Sequence, residues 1–257
     1  MSYMKKTHLI PAVFLFLLLL PSFLFSQELT PQEMIKRSDD LMRGDTQEGK
    51  YSMAITTPNW ERRLELYVYS LGRDKMFIRI LSPAKEKDTT TLRVKNEMWN
   101  YLPAVERTIK IPPSMMLQPW MGSDFANDDL VKESSIVNDY THKLLSEENT
   151  EGQDVYVIEL TPKPGSAVVW YKRIMRINKK DFTPVRDEFY GKNNKLIKTL
   201  SYSNVKKISG RSIPAHWDMT SEIKQGHTTI IEVSDSVVYN EPIDDSVFSL
   251  QNLRTRK

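Results

Sequence analysis

From Gly49 onward the chain is a succession of short runs that alternate apolar and polar residues with a two-residue period. "GKYSMAITT", "WERRLELYVYSLG", "DKMFIRILSP", "TTLRVKNEMWNYL" and "RTIKIP" form a first series. "QDVYVIELTP", "AVVWYKRIMRINK", "PVRDEFYG", "KLIKTLSYSNVKKI", "RSIPAHWDMTSEI" and "HTTIIEVSDSVVYN" form a second. Pro, Gly, Asn and Asp divide the runs, and Asn178 to Asp181, Gly191 to Asn194 and Gln225-Gly226 carry hairpin chemistry. The period and the punctuation predict an antiparallel meander. Both faces are apolar or aromatic: Leu64, Leu66 and Val68 oppose Tyr67 and Tyr69. A flat sheet with one wet face would be more polar on that side. The pattern predicts a strongly curved sheet or open barrel whose concave face is covered or holds a ligand.

Three segments depart from the strand period. "LTPQEMIKRSDDLMRG" has Thr30 to cap, Pro31 at the first helical position and Glu33 to complete a capping box. Met34, Ile35, Ser38, Leu41 and Met42 then share one face and Gly44 supplies the stop, so an amphipathic helix over 31–44 must lie on something apolar. Residues 112–125 hold Met115, Met116, Leu117, Trp120, Met121 and Phe125, broken by Pro112, Pro113 and Pro119. The prolines exclude a long helix or central strand. That leaves a loop capping the core, or an adaptable lid in which Met side chains repack around an irregular apolar ligand. The tail "EPIDDSVFSLQNL" reads as a capped helical turn from Asp244 that sets Phe248 and Leu250 on the sheet.

The chain begins with Lys5 and Lys6 and the apolar run Leu9 to Phe25, followed by Ser26. This is the pattern of a cleaved secretory signal peptide over 1–26, with 27–257 as one domain. There is no Cys, which removes disulfides, thiolate catalysis and the lipid-attachment residue of a bacterial lipoprotein. A free periplasmic or secreted protein is expected. The formal net charge is only +3, and Lys5 and Lys6 belong to the leader, so no clustered basic face for nucleic acid remains.

Side chains suited to catalysis or metal binding are sparse. His8, His142, His216 and His227 lack zinc-site spacing. His216 and Asp218 bracket Trp217 and would share a strand face, but no nucleophile elbow accompanies them, so a hydrolase is the remotest reading. Asp124, Asp128 and Asp129 lack the alternating acids of a calcium loop, and Asp124 and Asp128 read as caps of turns or short helices. Nine Gly residues include no phosphate-binding loop. No cofactor, metal or catalytic residue is expected.

Met98 to Leu130, "MWNYLPAVERTIKI" and then "PWMGSDFANDDL", resembles the signature of the outer-membrane lipoprotein-sorting proteins of the LolA-like superfamily. The matching residues are Trp99, Tyr101, Pro103, Arg107, Met121, Gly122, Ser123, Asp124, Phe125, Asp129 and Leu130. "YSNVKKISGRSIPAHWDM" and "IDDSVFSLQNL" extend the likeness. The resemblance implies a mainly β (α+β) fold: an incomplete antiparallel β-barrel, a half-barrel cup covered by a few short helices. It implies a non-enzymatic, monomeric periplasmic carrier that shields acyl chains of lipoproteins or lipids between an inner-membrane exporter and an outer-membrane acceptor. A sensor of mislocalised lipoprotein or lipid on the same cup is the alternative. Met34, Leu41, Tyr101, Met115, Met116, Leu117, Trp120, Met121 and Phe125 are the candidate acyl-binding or lid residues.

Overall fold

The computed structural model describes residues 29–132, 136–166 and 168–255. The expected leader over 1–26 lies outside them. Helix α1 (Pro31–Arg43) is followed by β1 (Thr46–Thr56), β2 (Glu61–Leu71), β3 (Lys75–Ser82), β4 (Thr90–Val94), β5 (Glu97–Leu102) and β6 (Arg107–Lys110). After a non-strand segment containing α2 (Asn127–Lys132) come β7 (Tyr140–Thr150), β8 (Gln153–Pro162), β9 (Lys172–Asn178) and β10 (Pro184–Tyr190). The chain continues with β11 (Leu196–Ile208), β12 (Arg211–Ser221), β13 (Thr228–Val233), β14 (Val238–Tyr239) and α3 (Leu250–Leu253).

All strands join one antiparallel sheet in the order β6-β5-β4-β3-β2-β1-β13-β12-β11-β10-β9-β8-β7, with β14 beside β1. Two meanders are thus sewn together by the pairing of β1 with β13, where Tyr51 faces Val233 and Thr56 faces Thr228. The sheet is not closed: β6 and β7 are its edges. Pro112 and Pro113 follow one residue after β6, and proline cannot donate to a continuing ladder. The chain must therefore travel from one edge to the other, and the described part of that crossing is residues 111–132 and 136–139. This is the proline-broken, Met-rich segment, here called the cover.

The main core lies on the concave face. Tyr51, Met53, Ile55, Leu64, Leu66, Ile78, Ile80, Leu200, Ala215, Met219, Ile231 and Val233 are buried together there with Trp120 and Phe125 of the cover. In register, Tyr51 faces Leu66 and Leu66 faces Ile80, so these side chains share one side of the pleat. A smaller cluster joins Met34 and Ile35 of α1 to Ile136, Val137, Tyr140, Ile158, Leu160, Met175 and Ile177. Helix α1 therefore rests on the β7–β9 end of the sheet.

Local chemistry fixes both ends of α1. The Thr30 hydroxyl accepts from the Glu33 amide at 3.2 Å, and the Thr30 amide donates to the Glu33 carboxylate at 2.9 Å. At the other end Gly44 has φ +65°, where a Cβ would meet the Asn240 side-chain oxygen at 2.8 Å. Arg211 donates to the carbonyls of Asp40 and Leu41 at 2.9 and 3.1 Å, satisfying acceptors left open in the last helical turn. Among the described residues no helix is long and apolar enough to cross a membrane.

The outer face is also buried in part. Phe77, Leu92 and Tyr101 pack with Phe248 and Leu253 of the C-terminal segment, and Trp99 joins them. Asp244 caps the turn by accepting from the Ser246 amide at 2.8 Å. Phe248 is buried as expected, but Leu250 is 45% exposed and Leu253 takes the inward place. The expected anchor Leu250 is corrected by helical geometry: α3 turns after Ser249, and three residues bring Leu253 to the face that meets the sheet.

Candidate functional site

Between α1, the cover and the concave face lies a cavity of about 190 Å³. Met53, Leu66, Val68, Ile78, Leu200 and Ile231 supply its sheet wall, Ile35 and Met42 its helix side, and Trp120, Phe125 and Leu130 its cover side. Ser38, Asp39, Arg43 and Gln47 on α1 and the start of β1 supply most of its polar lining, and Asp129 adds a carboxylate on the cover side. The space is thus a mainly apolar slot, polar beside α1 and at Asp129.

Hydrogen bonds hold the cover to strands of both meanders. Trp120 is 2% exposed and its indole N–H donates to the Thr91 hydroxyl of β4 at 3.1 Å. Arg62 of β2 donates to the Met121 carbonyl. The Asp124 amide donates to the Thr229 hydroxyl of β13 at 2.9 Å, and that hydroxyl donates to the Asp124 carboxylate at 2.8 Å. The segment also folds on itself: Trp120 N–H donates to Phe125 O at 2.7 Å and Asp128 N–H to Met116 O at 2.8 Å. Met121 and Gly122 both adopt positive φ, +49° and +74°, which makes the reversal between them. Ser123 donates to the Trp120 carbonyl at 2.7 Å and closes the turn.

Behind Phe125 the cover is tied down by charge. Lys198 of β11 and Asp129 of α2 form an ion pair with each side chain 5% exposed. Asp129 also accepts from the Ala126 amide at 2.6 Å and the Trp170 indole at 3.1 Å. The Lys198 ammonium lies 4.7 Å from the Trp170 ring centre and 4.9 Å from that of Phe189. A buried carboxylate with three donors and a lysine flanked by aromatic rings meet the conditions under which burying charge is tolerated.

At the polar end a second network surrounds α1. Asp39 accepts from Arg43 and from Arg73 of the β2–β3 turn, both at 2.7 Å, and Asp40 accepts from Arg73 and Lys36. Burial raises the Asp40 pKa, but hydrogen bonds from Lys36 and Arg73 outweigh it and hold the carboxyl below its usual value. Gln47 bridges Tyr51 and Tyr239, whose hydroxyls stay neutral because burial drives the Tyr239 pKa to about 12 and that of Tyr51 upward.

The expected site residues separate into groups. Trp120 and Phe125 line the cavity. Met115, Met116, Met121 and Leu41 are partly buried against the main core without lining the cavity. Met34 belongs to the packing of α1 on the sheet. Leu117 is 61% exposed and does not reach the apolar space. Tyr101 is placed elsewhere altogether: Thr90 and Tyr101 are register partners, and the tyrosine packs with Phe77 and Phe248 on the outer face.

The motif residues divide likewise. Trp99 stands on the outer face with Tyr101, Pro103 lies in the turn after β5, and Arg107 is exposed on the edge strand. Gly122, Ser123, Asp124 and Asp129 build and tether the cover as described above. His216 pairs with Glu232 on the opposite side of the strand from Trp217, which lines the cavity. Asp218 accepts from Thr228 at 2.7 Å. Among the described residues no group of three or more His, Cys, Asp or Glu is arranged to hold a metal ion. Lys198 and the strand residues of the cavity wall were not singled out by sequence. The two-residue period identifies their face, but both faces of the sheet are apolar.

A family model described as "-like: Uncharacterized protein" matches residues 72–255. A comparison with functionally curated proteins returned no match. Among solved structures, a DUF1329 family protein from Desulfovibrio piger superposes with a TM-score of 0.81 at 24% identity, over 87% of this chain and 97% of that one. An outer membrane lipoprotein-sorting protein domain from Vibrio parahaemolyticus gives 0.76 at 24% identity, over 87% and 96%. A LolA superfamily protein from Nitrosomonas europaea gives 0.74 at 24% identity, over 87% and 99%. At this identity the likeness is one of fold.

Proposed function

Because the chain belongs to the family matched over residues 72–255 and has the LolA-like fold of outer-membrane lipoprotein-sorting proteins, we propose that it is a non-enzymatic carrier of acyl chains. The observation that carries this reading is the cavity, a mainly apolar slot, polar beside α1 and at Asp129, enclosed by α1 and the cover. Each methylene moved from water into such a space is worth about 0.8 kcal/mol, so a chain of about a dozen carbons gains on the order of 10 kcal/mol before the costs of association. Such a chain needs a protected route across water, and a cup with an apolar floor supplies one.

The leader expected over 1–26 from its sequence pattern supports work in the periplasm as a single mature domain. The likeness to the lipoprotein-sorting protein domain from Vibrio parahaemolyticus supports acylated cargo and membrane-bound donors and acceptors as partners. The cover acts here as a fixed wall more than as a flap, because its tethers to β2, β4, β11 and β13 would all have to break for it to lift. Entry is assigned to the polar end, beside α1.

The test is binding of an uncharged, environment-sensitive dye to the purified protein. The expected result is enhanced emission that an acyl competitor reverses, and loss of uptake in Val68→Trp, which fills the slot from β2. If the dye does not bind to the folded protein, or if Val68→Trp binds it unchanged, the cavity is not the acyl site.

A further inference from the structure

The antiparallel path sends its connections alternately to two ends of the strands, and the two sets differ in chemistry. At the end beside α1, where Arg73 bonds Asp39, lie 72–74, 95–96, 151–152, 179–183, 209–210 and 234–237. These turns are rich in Gly, Asn, Asp and Ser. None of their described residues is an exposed large apolar one: Phe182 packs on the α1 cluster and Val237 is buried. At the other end lie 57–60, 83–89, 103–106, 163–171, 191–195 and 222–227. Four of these connections hold one large apolar residue each in the solvent, Trp60, Val105, Tyr171 and Ile223, between 45% and 59% exposed. A turn needs none of these side chains to form, so their gathering at one end marks a contact surface. Trp60 and Ile223 are neighbours, because β1 pairs with β13 and a Cβ on Gly226 would meet Pro58 at 3.2 Å. Val105 and Tyr171 stand to either side, each about three strand spacings away, roughly 15 Å.

We propose that this rim docks on a phospholipid bilayer bearing anionic headgroups, with Trp60, Ile223 and Tyr171 as its anchors. The inference does not depend on what the cavity holds. Anchors spread along a rim suit a plane into which each inserts on its own, whereas a protein partner would need a contiguous central patch. Trp and Tyr, with an apolar body and a polar edge, favour the headgroup level. Lysines stand among the anchors: Lys224 follows Ile223, and the exposed Lys192 and Lys195 lie in the connection between Ile223 and Tyr171. The connections 57–60, 163–171, 191–195 and 222–227 hold Lys163, Lys192, Lys195 and Lys224 against Glu222 alone. The other two, 83–89 and 103–106, hold Lys85 and Lys87 against Glu86, Asp88 and Glu106. The cationic part of the rim therefore coincides with Trp60, Ile223 and Tyr171, where anionic headgroups would meet it. Docking here turns the mouth beside α1 away from the lipid, where the soluble part of a partner can reach it.

The experiment sediments the protein, purified from its own cells, with vesicles of phosphatidylethanolamine and phosphatidylglycerol, and with vesicles of phosphatidylcholine alone. Binding to the first is expected, and binding to the second should be several-fold weaker. Trp60→Ser and Ile223→Ser should each weaken binding about tenfold, while Leu250→Ser, which removes an equally exposed side chain from the outer face, should leave it unchanged. Phospholipids brominated in their acyl chains should quench the emission of the wild type. Trp60→Phe should lose that quenching and still sediment, because the other four tryptophans are more enclosed. Failure of the wild type to sediment, equal binding to the two kinds of vesicle, or unchanged binding of both Trp60→Ser and Ile223→Ser overturns the assignment. A dimer that forms with rising concentration and is lost in Trp60→Ser, without vesicle binding, overturns it in favour of a second copy. Quenching of the wild type decides the matter even if a variant does not fold.

Discussion

Lys198 and Asp129 meet in a buried ion pair between the sheet and the cover, and each has aromatic or backbone partners that make its burial tolerable. The cover crosses from one sheet edge to the other, and this pair fixes α2 of that crossing against β11.

Removing one member of the pair strands the other. Lys198→Met or Asp129→Leu alone should destabilise the fold by about 3–5 kcal/mol, whereas the double variant should recover most of the loss, because a buried pair contributes little net of its desolvation. Urea unfolding of the three variants checks this, and additive losses would contradict it.

Trp120 anchors the first half of the cover through packing and one indole hydrogen bond to Thr91. Trp120→Phe should cost about 1 kcal/mol from the bond together with some loss of packing, and Trp120→Ala about 3–5 kcal/mol. Equal midpoints for wild type and Trp120→Ala in denaturant would show that the cover does not share in the cooperative core.

His142 should make stability depend on pH. Burial lowers its pKa below 6.5, against the opposing hydrogen bond to the Ile136 carbonyl. The unfolded chain then binds a proton near pH 6.5 that the folded chain refuses. Stability contributed by this group is therefore full above 6.5 and falls as pH drops towards the folded pKa. His142→Gln should flatten that part of the curve. Chemical unfolding at a series of pH values reads it directly.

Tyr101 and the cavity wall should separate in function. Tyr101→Leu is expected to leave dye uptake unchanged, since the ring packs against the C-terminal segment on the outer face. Leu200→Asp should abolish uptake by placing a charge in the wall.

The strand periods, the capping box at Thr30 and Glu33, and the proline-broken crossing were all legible in the sequence because each is set by local chemistry. The face of a given strand was not. Met98 points inward and is fully buried, so Trp99 and Tyr101, one and three residues further along the strand, must face outward, yet Tyr101 reads equally well as a cavity residue. Ambiguity arises because the C-terminal segment buries the outer face of β3–β5, leaving no polar side to mark solvent. Lys198 was hidden for a different reason. A lysine in a strand ordinarily reads as exposed, and only the tertiary approach of Asp129, Trp170 and Phe189 makes its burial possible. Helix α1 shows a finer division: Met34 serves its attachment to the sheet, Met42 turns to the cavity and Ile35 does both, a distinction that requires the position of β7–β9.

The most direct measurement is mass spectrometry of whatever remains bound when the native protein is purified from its own cells under mild conditions. An acyl-bearing molecule should be recovered from the wild type at close to one per chain and be lost from Leu200→Asp in its folded form. Recovery of folded wild-type protein without any acylated molecule, together with no uptake when such molecules are added back, would contradict the assignment of the cavity to acyl chains.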